Sequence, residues 1–190
     1  MSTVTLHDLS FRLRFSRAEI VERVAEVARS IRADYADREP VFVVVVNGAM
    51  FFAVDLVRLV GIPCTMACIQ ASSYGSGTQS KGVVDFGGLV PNVREKDVII
   101  VEDIVDTGTT IRAILAKLAD QHPRSVAVAA VVNKPAAHAV PVQVQYRCFE
   151  MESEFLVGYG LDYAGRGREL TDIYELIADS TSQSPYTKIN

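Results

Sequence analysis

The chain has 190 residues, enough for one ordinary domain and too few for two. Its composition is 49% hydrophobic and 22% charged, which excludes the disordered and fibrous classes. Lysine and arginine number 19 against 23 acidic residues, and a net charge of −4 argues against a polyanion such as nucleic acid as partner.

The cysteines, Cys64, Cys68 and Cys148, are odd in number and show no repeated C-x-x-C spacing. That pattern points to reduced thiols in the cytoplasm. His7, His122 and His138 are scattered, so no zinc site is expected. The first fifteen residues lack the basic-then-apolar order of a secretory leader, and the longest apolar runs fall far short of a membrane span. The expectation is a cytoplasmic chain with no membrane partner.

In chain order, Ser16 and Glu19 form an S-x-x-E capping box, and Ile20, Val24, Val27 and Ile31 recur at helical spacing. This predicts a helix over 17–35. The run VFVVVV, 41–46, suits a strand buried on both faces of a parallel sheet. Asn47-Gly48 turns the chain into a helix over 50–60, closed by Gly61 with Pro63 behind it. A short strand near 64–70 leads into SSYGSGTQSKG, expected as a mobile excursion or hairpin tip. A buried strand at 98–101 follows, and residues 102–110 link it to a helix carrying Ile111, Ile114, Leu115 and Leu118. Strands are further predicted at 126–132, across Val142, Val144 and Tyr146, and at 155–157. Alternation of strands with helices of about a dozen residues means an α/β fold with a mostly parallel central sheet. One domain over 1–179 is expected, with a polar tail at 180–190.

The chemistry concentrates in VIIVEDIVDTGTTI, 98–111. In a parallel sheet, ligands gather where strands hand over to helices at their carboxyl ends. Gly108 lets backbone approach a ligand, and Thr107, Thr109 and Thr110 bring hydroxyls to a helix start, a setting that suits phosphate. No Walker loop and no G-x-G-x-x-G occurs in the chain. Glu102, Asp103 and Asp106 flank this cradle, and carboxylates beside phosphate need compensation. Ribose hydroxyls and Mg²⁺ both supply it, so the segment points to a sugar phosphate carrying pyrophosphate.

This segment resembles the phosphoribosyl-pyrophosphate signature of type I phosphoribosyltransferases, and further motifs resemble the hypoxanthine/guanine branch. They are VVNGAMFFAVDLVR (45–58), Ser73-Tyr74 with its Gly-rich sequel, 132–135 around Lys134, and FLVGYGLDYAGRGREL (155–170). The resemblance implies the type I fold, with a small C-terminal hood built mainly by 142–178 and a flexible loop containing Ser73 and Tyr74. It implies purine salvage: transfer of ribose 5-phosphate from phosphoribosyl pyrophosphate to N9 of hypoxanthine or guanine. By the same resemblance Asp106 is the general base. Glu102 and Asp103 hold ribose and, with Asp162, Mg²⁺; Thr107, Gly108, Thr109 and Thr110 hold the 5′-phosphate. Asn47, Gly48 and Arg168 contact pyrophosphate, and Lys134, Phe155, Leu156 and Asp162 bind the purine. A homodimer or homotetramer is implied.

Two departures stand out. Asn47 replaces a Lys or Arg common in relatives, leaving the loop to bind through a strained Asn47-Gly48 peptide, and AAHAV follows Pro135 where relatives often show basic residues. Competing readings are a non-catalytic nucleotide sensor and a transferase for another base such as xanthine. An adenine or orotate enzyme would share the Asp106 loop without the arrangement of Lys134 and 155–162. A DNA-binding regulator would need a basic segment that the acidic chain lacks.

Overall fold

The structure, a computed structural model, describes residues 2–73, 84–86 and 91–177. A six-stranded sheet is built from β3 (Val41–Val46), β4 (Thr65–Ser73), β5 (Val84–Phe86), β6 (Asp97–Val105), β7 (Ser125–Asn133) and β8 (Tyr146–Glu150). Its order is β5-β4-β3-β6-β7-β8, parallel throughout except for β5. The helices are α1 (Arg17–Asp34), α2 (Met50–Val60) and α3 (Thr109–Ala119).

The side-chain alternation of β3 explains its wholly apolar sequence. Phe42 and Val44 join the core beneath α1 and α2, whereas Val41, Val43 and Val45 join the core beneath α3. Both faces are therefore covered, as a parallel strand requires. The same division places the site. After β3 the chain crosses to one face as α2, and after the adjacent β6 it crosses to the other as α3. Diverging connections at neighbouring strand ends open a crevice between them.

Three local expectations are met. Ser16 caps α1, its hydroxyl accepting from the Glu19 N–H while the Glu19 carboxylate accepts from the Ser16 N–H. Gly61 ends α2 in the left-handed region at φ +60°. Ile111, Ile114 and Leu118 are the buried positions of α3.

Other boundaries move. β4 runs on to Ser73, whose backbone pairs with Val84 of β5, so a hairpin flanks the excursion expected there. Residues 74–83, with Tyr74, and the tail 180–190 lie outside the described residues. β6 extends four residues past the predicted strand, because its ladder to β7 continues to the Val105–Asn133 pair. Glu102 and Asp103 are thus strand residues and not part of a linker. The predicted strand through Val142, Val144 and Tyr146 starts only at Tyr146. Val142 and Val144 instead pack into the α3-side core.

A second, antiparallel sheet has the order β1-β2-β10-β9, from β1 (Thr3–Leu6), β2 (Leu9–Phe15), β10 (Ile173–Leu176) and β9 (Leu156–Val157). The expected hood drew on 142–178, yet half of these strands come from the opposite end of the chain. Phe11, Val157 and Tyr174 form the centre of its small core.

Candidate active site

The crevice between the ends of β3 and β6 is a cavity of about 340 Å³. Its walls are the loop Val46–Asn47–Gly48, the run from Glu102 to Gly108 with Thr110 and Ile111, and Asp162 and Arg168 from the C-terminal segment. α2 and α3 both begin at this cavity without a side-chain cap, from Ala49 and Gly108, unlike α1. Their first N–H groups and dipoles favour an anion.

The acidic pair is held tightly. Glu102 is 6% exposed, and its Oε1 accepts from the Asp103 N–H at 3.2 Å. Asp103 Oδ1 accepts from the Ile104 N–H at 2.7 Å. Burial, and then the neighbouring Asp103 carboxylate, push the Glu102 carboxyl well above its ordinary range. Burial also raises Asp103, although its contact with Glu102 and the Arg168 charge pull the other way. Gly48 is mandatory at this point. A Cβ there would stand 1.6 Å from Asp103 Oδ2, so the loop backbone rests directly on that carboxylate. Among the described residues the cis peptide bond is Val46–Asn47, immediately before Asn47-Gly48.

The raised Glu102 carboxyl has a consequence for stability. A carboxyl raised on folding contributes stability below the ordinary glutamate value, and loses it as pH rises through the folded value. As pH rises above the ordinary glutamate range, the melting temperature of the unliganded protein should therefore fall more steeply in wild type than in Glu102→Gln. Equal slopes in a thermal-melt series would remove Glu102 as the cause.

The phosphate-cradle residues lie together. Thr107 Oγ1 donates to Thr109 Oγ1 at 3.1 Å, Gly108 takes φ +78°, and Thr110 lines the cavity. A brace absent from the sequence reading is the segment after Pro135. The Ala139 N–H donates to the Thr107 carbonyl at 2.9 Å, and Val140 and Val142 close on Gly108. Nothing local in the sequence signals this contact, which depends on β7 and the turn after it.

Lys134 is 2% exposed, in contrast to the solvated charge that a lone lysine after a strand usually is. Its Nζ lies 3.5 Å from Asp106 Oδ2, and its N–H donates to the Val105 carbonyl. A buried ammonium group therefore stands beside a part-exposed carboxylate; Asp106 lines the cavity and Lys134 lies outside its lining.

Asp162 and Arg168 face the acidic pair but are engaged with each other. Arg168 Nη2 pairs with Asp162 Oδ1 at 2.5 Å, and Nη1 donates to the Gly160 carbonyl at 2.7 Å. Asp162 Oδ2 accepts from the Gly165 N–H. Asp162 therefore does not join Glu102 and Asp103 in a three-carboxylate cage. Among the described residues no group of three His, Cys, Asp or Glu side chains is arranged to hold a metal ion. The two adjacent acids alone remain a fit to Mg²⁺, which takes one or two carboxylates and completes its shell with substrate oxygens and water.

Two residues expected at the purine, Phe155 and Leu156, lie on the hood side of this cavity. The Phe155 ring packs in the hood core, 6.0 Å edge-on to Tyr163 and 6.3 Å from Phe11. Leu156, 4% exposed, belongs to the main core. Neither lines the cavity. Ser73 is placed as the last residue of β4.

Residues 16–164 match the family model described as a phosphoribosyl transferase domain. The chain is 39% identical to the hypoxanthine phosphoribosyltransferase of Salmonella typhimurium over 163 residues, 84% of this chain and 92% of that one. It is 38% identical to the hypoxanthine-guanine phosphoribosyltransferase of Mycobacterium avium over 162 residues, 82% and 80% of the two chains. A crystal structure of a hypoxanthine-guanine phosphoribosyltransferase from Bacillus anthracis superposes with a TM-score of 0.82 at 32% identity, covering 87% of this chain and 98% of that one. The mostly parallel sheet, the crevice at its switch point and these likenesses agree, and the chain belongs to the phosphoribosyltransferase family, among its hypoxanthine-guanine members.

Proposed function

We propose that the protein transfers ribose 5-phosphate from phosphoribosyl pyrophosphate to N9 of a 6-oxopurine, hypoxanthine or guanine, releasing pyrophosphate in purine salvage. One observation carries this reading: the buried Lys134 ammonium 3.5 Å from the Asp106 carboxylate. A 6-oxopurine presents O6 and N7 side by side on one edge. Lys134 donates to O6, and Asp106 accepts the N7 proton as N9 attacks. A 6-amino purine offers no acceptor at that position, so Lys134 selects against adenine.

In the reaction the ribose C1–oxygen bond to pyrophosphate breaks and the C1–N9 bond forms, with positive charge developing on the sugar ring. Thr107, Gly108, Thr109, Thr110 and the start of α3 hold the 5′-phosphate. Glu102 and Asp103 accept from the ribose hydroxyls. The same two acids would hold Mg²⁺, which would supply neutralising charge for the leaving pyrophosphate. Asn47, Gly48 and Arg168 contact that pyrophosphate, and because Asn47 carries no charge, Arg168 is the cation of the cavity wall among the described residues. Phe155 and Leu156 shape the purine side from the hood, and Ser73 and Tyr74 belong to the loop that covers the reacting sugar.

The enzyme is proposed to work in the cytoplasm as a homodimer or homotetramer. Support for association comes from Met50, Phe51 and Val54, large apolar side chains left about half exposed on α2. No helix among the described residues is long and apolar enough to cross a membrane.

The test is an assay of phosphoribosyl pyrophosphate with hypoxanthine, guanine, xanthine and adenine in turn, with and without a chelator. Nucleotide should form from hypoxanthine or guanine and not from adenine. Chelation should cut the rate by more than about 100-fold. Folded protein that makes no nucleotide from any 6-oxopurine would sink the proposal.

A further inference from the structure

Two side chains outside the cavity close a circuit around it. Tyr159 is 4% exposed, and its hydroxyl donates to Asp55 Oδ2 of α2 at 2.8 Å. Its backbone holds φ +50°, between Gly158 at +99° and Gly160 at +101°. Glycine would take that left-handed conformation at lower cost, so the tyrosine side chain offsets a backbone penalty through its own contacts.

Those contacts join segments 104 positions apart in the chain. Gly160, next in sequence, lies against the loop, because a Cβ on it would stand 2.0 Å from the Gly48 carbonyl oxygen. The Gly160 carbonyl accepts from Arg168, and its N–H donates to the Arg168 carbonyl. Gly48 leads directly into α2, and α2 carries Asp55. The circuit therefore runs from Gly48 through α2 to Asp55, across to Tyr159, and through Gly160 back to Gly48, with Arg168 fastened to Gly160.

We infer that Asp55 and Tyr159 are positioning residues, whose hydrogen bond sets the distance between the Asn47–Gly48 loop and Arg168, the two sides of the pyrophosphate subsite. The inference rests on the reading of the cavity as a phosphoribosyl-pyrophosphate site. Neither residue touches substrate. Losing the bond frees the 158–161 turn from α2, and the two sides of the subsite lose register with each other. Small displacements of binding groups cost far more in a charged subsite than the bond itself contributes to folding.

The test compares Y159F, D55A, D55N and the double variant Y159F/D55A with wild type. It uses steady-state kinetics and calorimetric binding of phosphoribosyl pyrophosphate in the presence of Mg²⁺. Y159F and D55A should each raise KM and Kd for phosphoribosyl pyrophosphate about tenfold, a loss typical of a hydrogen bond to a charged group. KM for the purine should stay within about twofold. D55N retains an acceptor oxygen and should stay near wild type. The double variant should be no worse than either single one, the signature of one shared interaction. Asp55 lies on a half-buried helix face, so its pair of variants decides the matter if Y159F does not fold. A wild type that binds no phosphoribosyl pyrophosphate overturns the functional reading and this inference together. A wild type that binds it, with D55A or Y159F showing a lowered melting temperature and unchanged KM, overturns this inference alone.

Discussion

Asp106→Asn should fold as wild type does and lose about 10²–10⁴-fold in kcat, the usual contribution of a positioned general base. The carboxylate stands at the end of β6 with a part-exposed side chain, so removing its charge disturbs no core packing. It removes the negative partner of Lys134 and, in the proposed mechanism, the acceptor for the purine N7 proton. Two effects can be separated. A variant with low kcat and unchanged KM for the base has lost proton uptake. A variant with a raised KM for the base has lost the alignment of Lys134, whose ammonium is buried beside no other acid among the described ion pairs. A kcat within about threefold of wild type would take Asp106 out of the mechanism.

Gly48→Ala is the second large effect. The new methyl would overlap Asp103 Oδ2, at 1.6 Å, and Asp103 is fixed by the Ile104 N–H at 2.7 Å. Either the loop lifts or the carboxylate turns away, and both moves spoil the cavity wall. The expected cost is about 1–3 kcal/mol in stability, as for other overpacked sites. The expected loss in kcat/KM for phosphoribosyl pyrophosphate is about 100-fold, because the displaced groups are those that would hold ribose and pyrophosphate. A companion Gly48→Ala/Asp103→Ala variant distinguishes the causes. It should regain stability by relieving the overlap without regaining activity. Recovery of both would show that Asp103 is dispensable.

Much of this architecture was legible because its signals are local. The capping box at Ser16 and Glu19, the β-branched run of β3 and the left-handed Gly61 each act within a few residues of themselves. The strand containing Glu102 and Asp103 was less legible, since those two acids interrupt the apolar run after Val101 while the backbone ladder continues to Val105. Hydrogen bonding to β7 decides that boundary, and side-chain pattern does not report it. The hairpin of β1 and β2 did carry a signal, the alternation in LSFRLRF, with Phe11 turned into the hood core. Its partner, β10, stands about 160 positions away and shows no local sign of the pairing.

The candidate site divides in the same way. The residues of 102–110 are neighbours in sequence and so appear together in any reading of it. The burial of Lys134, the Asp162–Arg168 pair and the brace at Val140 and Val142 arise from long-range packing. Phe155 shows both. Its place in a resemblance suggests a stacking surface, while its part-buried packing beside Tyr163 and Phe11 depends, through Phe11, on a residue far away in the chain.

The pairing of β2 with β10 also bears on how the protein is made. Synthesis proceeds from the N-terminus, and folding follows the chain as it emerges. The central sheet is complete once Glu150 is available, since β8 is its last strand. The hood cannot close until Ile173 to Leu176 reach β2. During that interval β2 presents an unpaired edge, and Arg168 has no fixed place opposite Glu102 and Asp103. Catalytic competence should therefore arrive in one step, once Leu176 is free to pair with β2. Ribosome-bound chains ending before Ile173 should resist proteolysis across the central sheet while remaining unable to bind phosphoribosyl pyrophosphate.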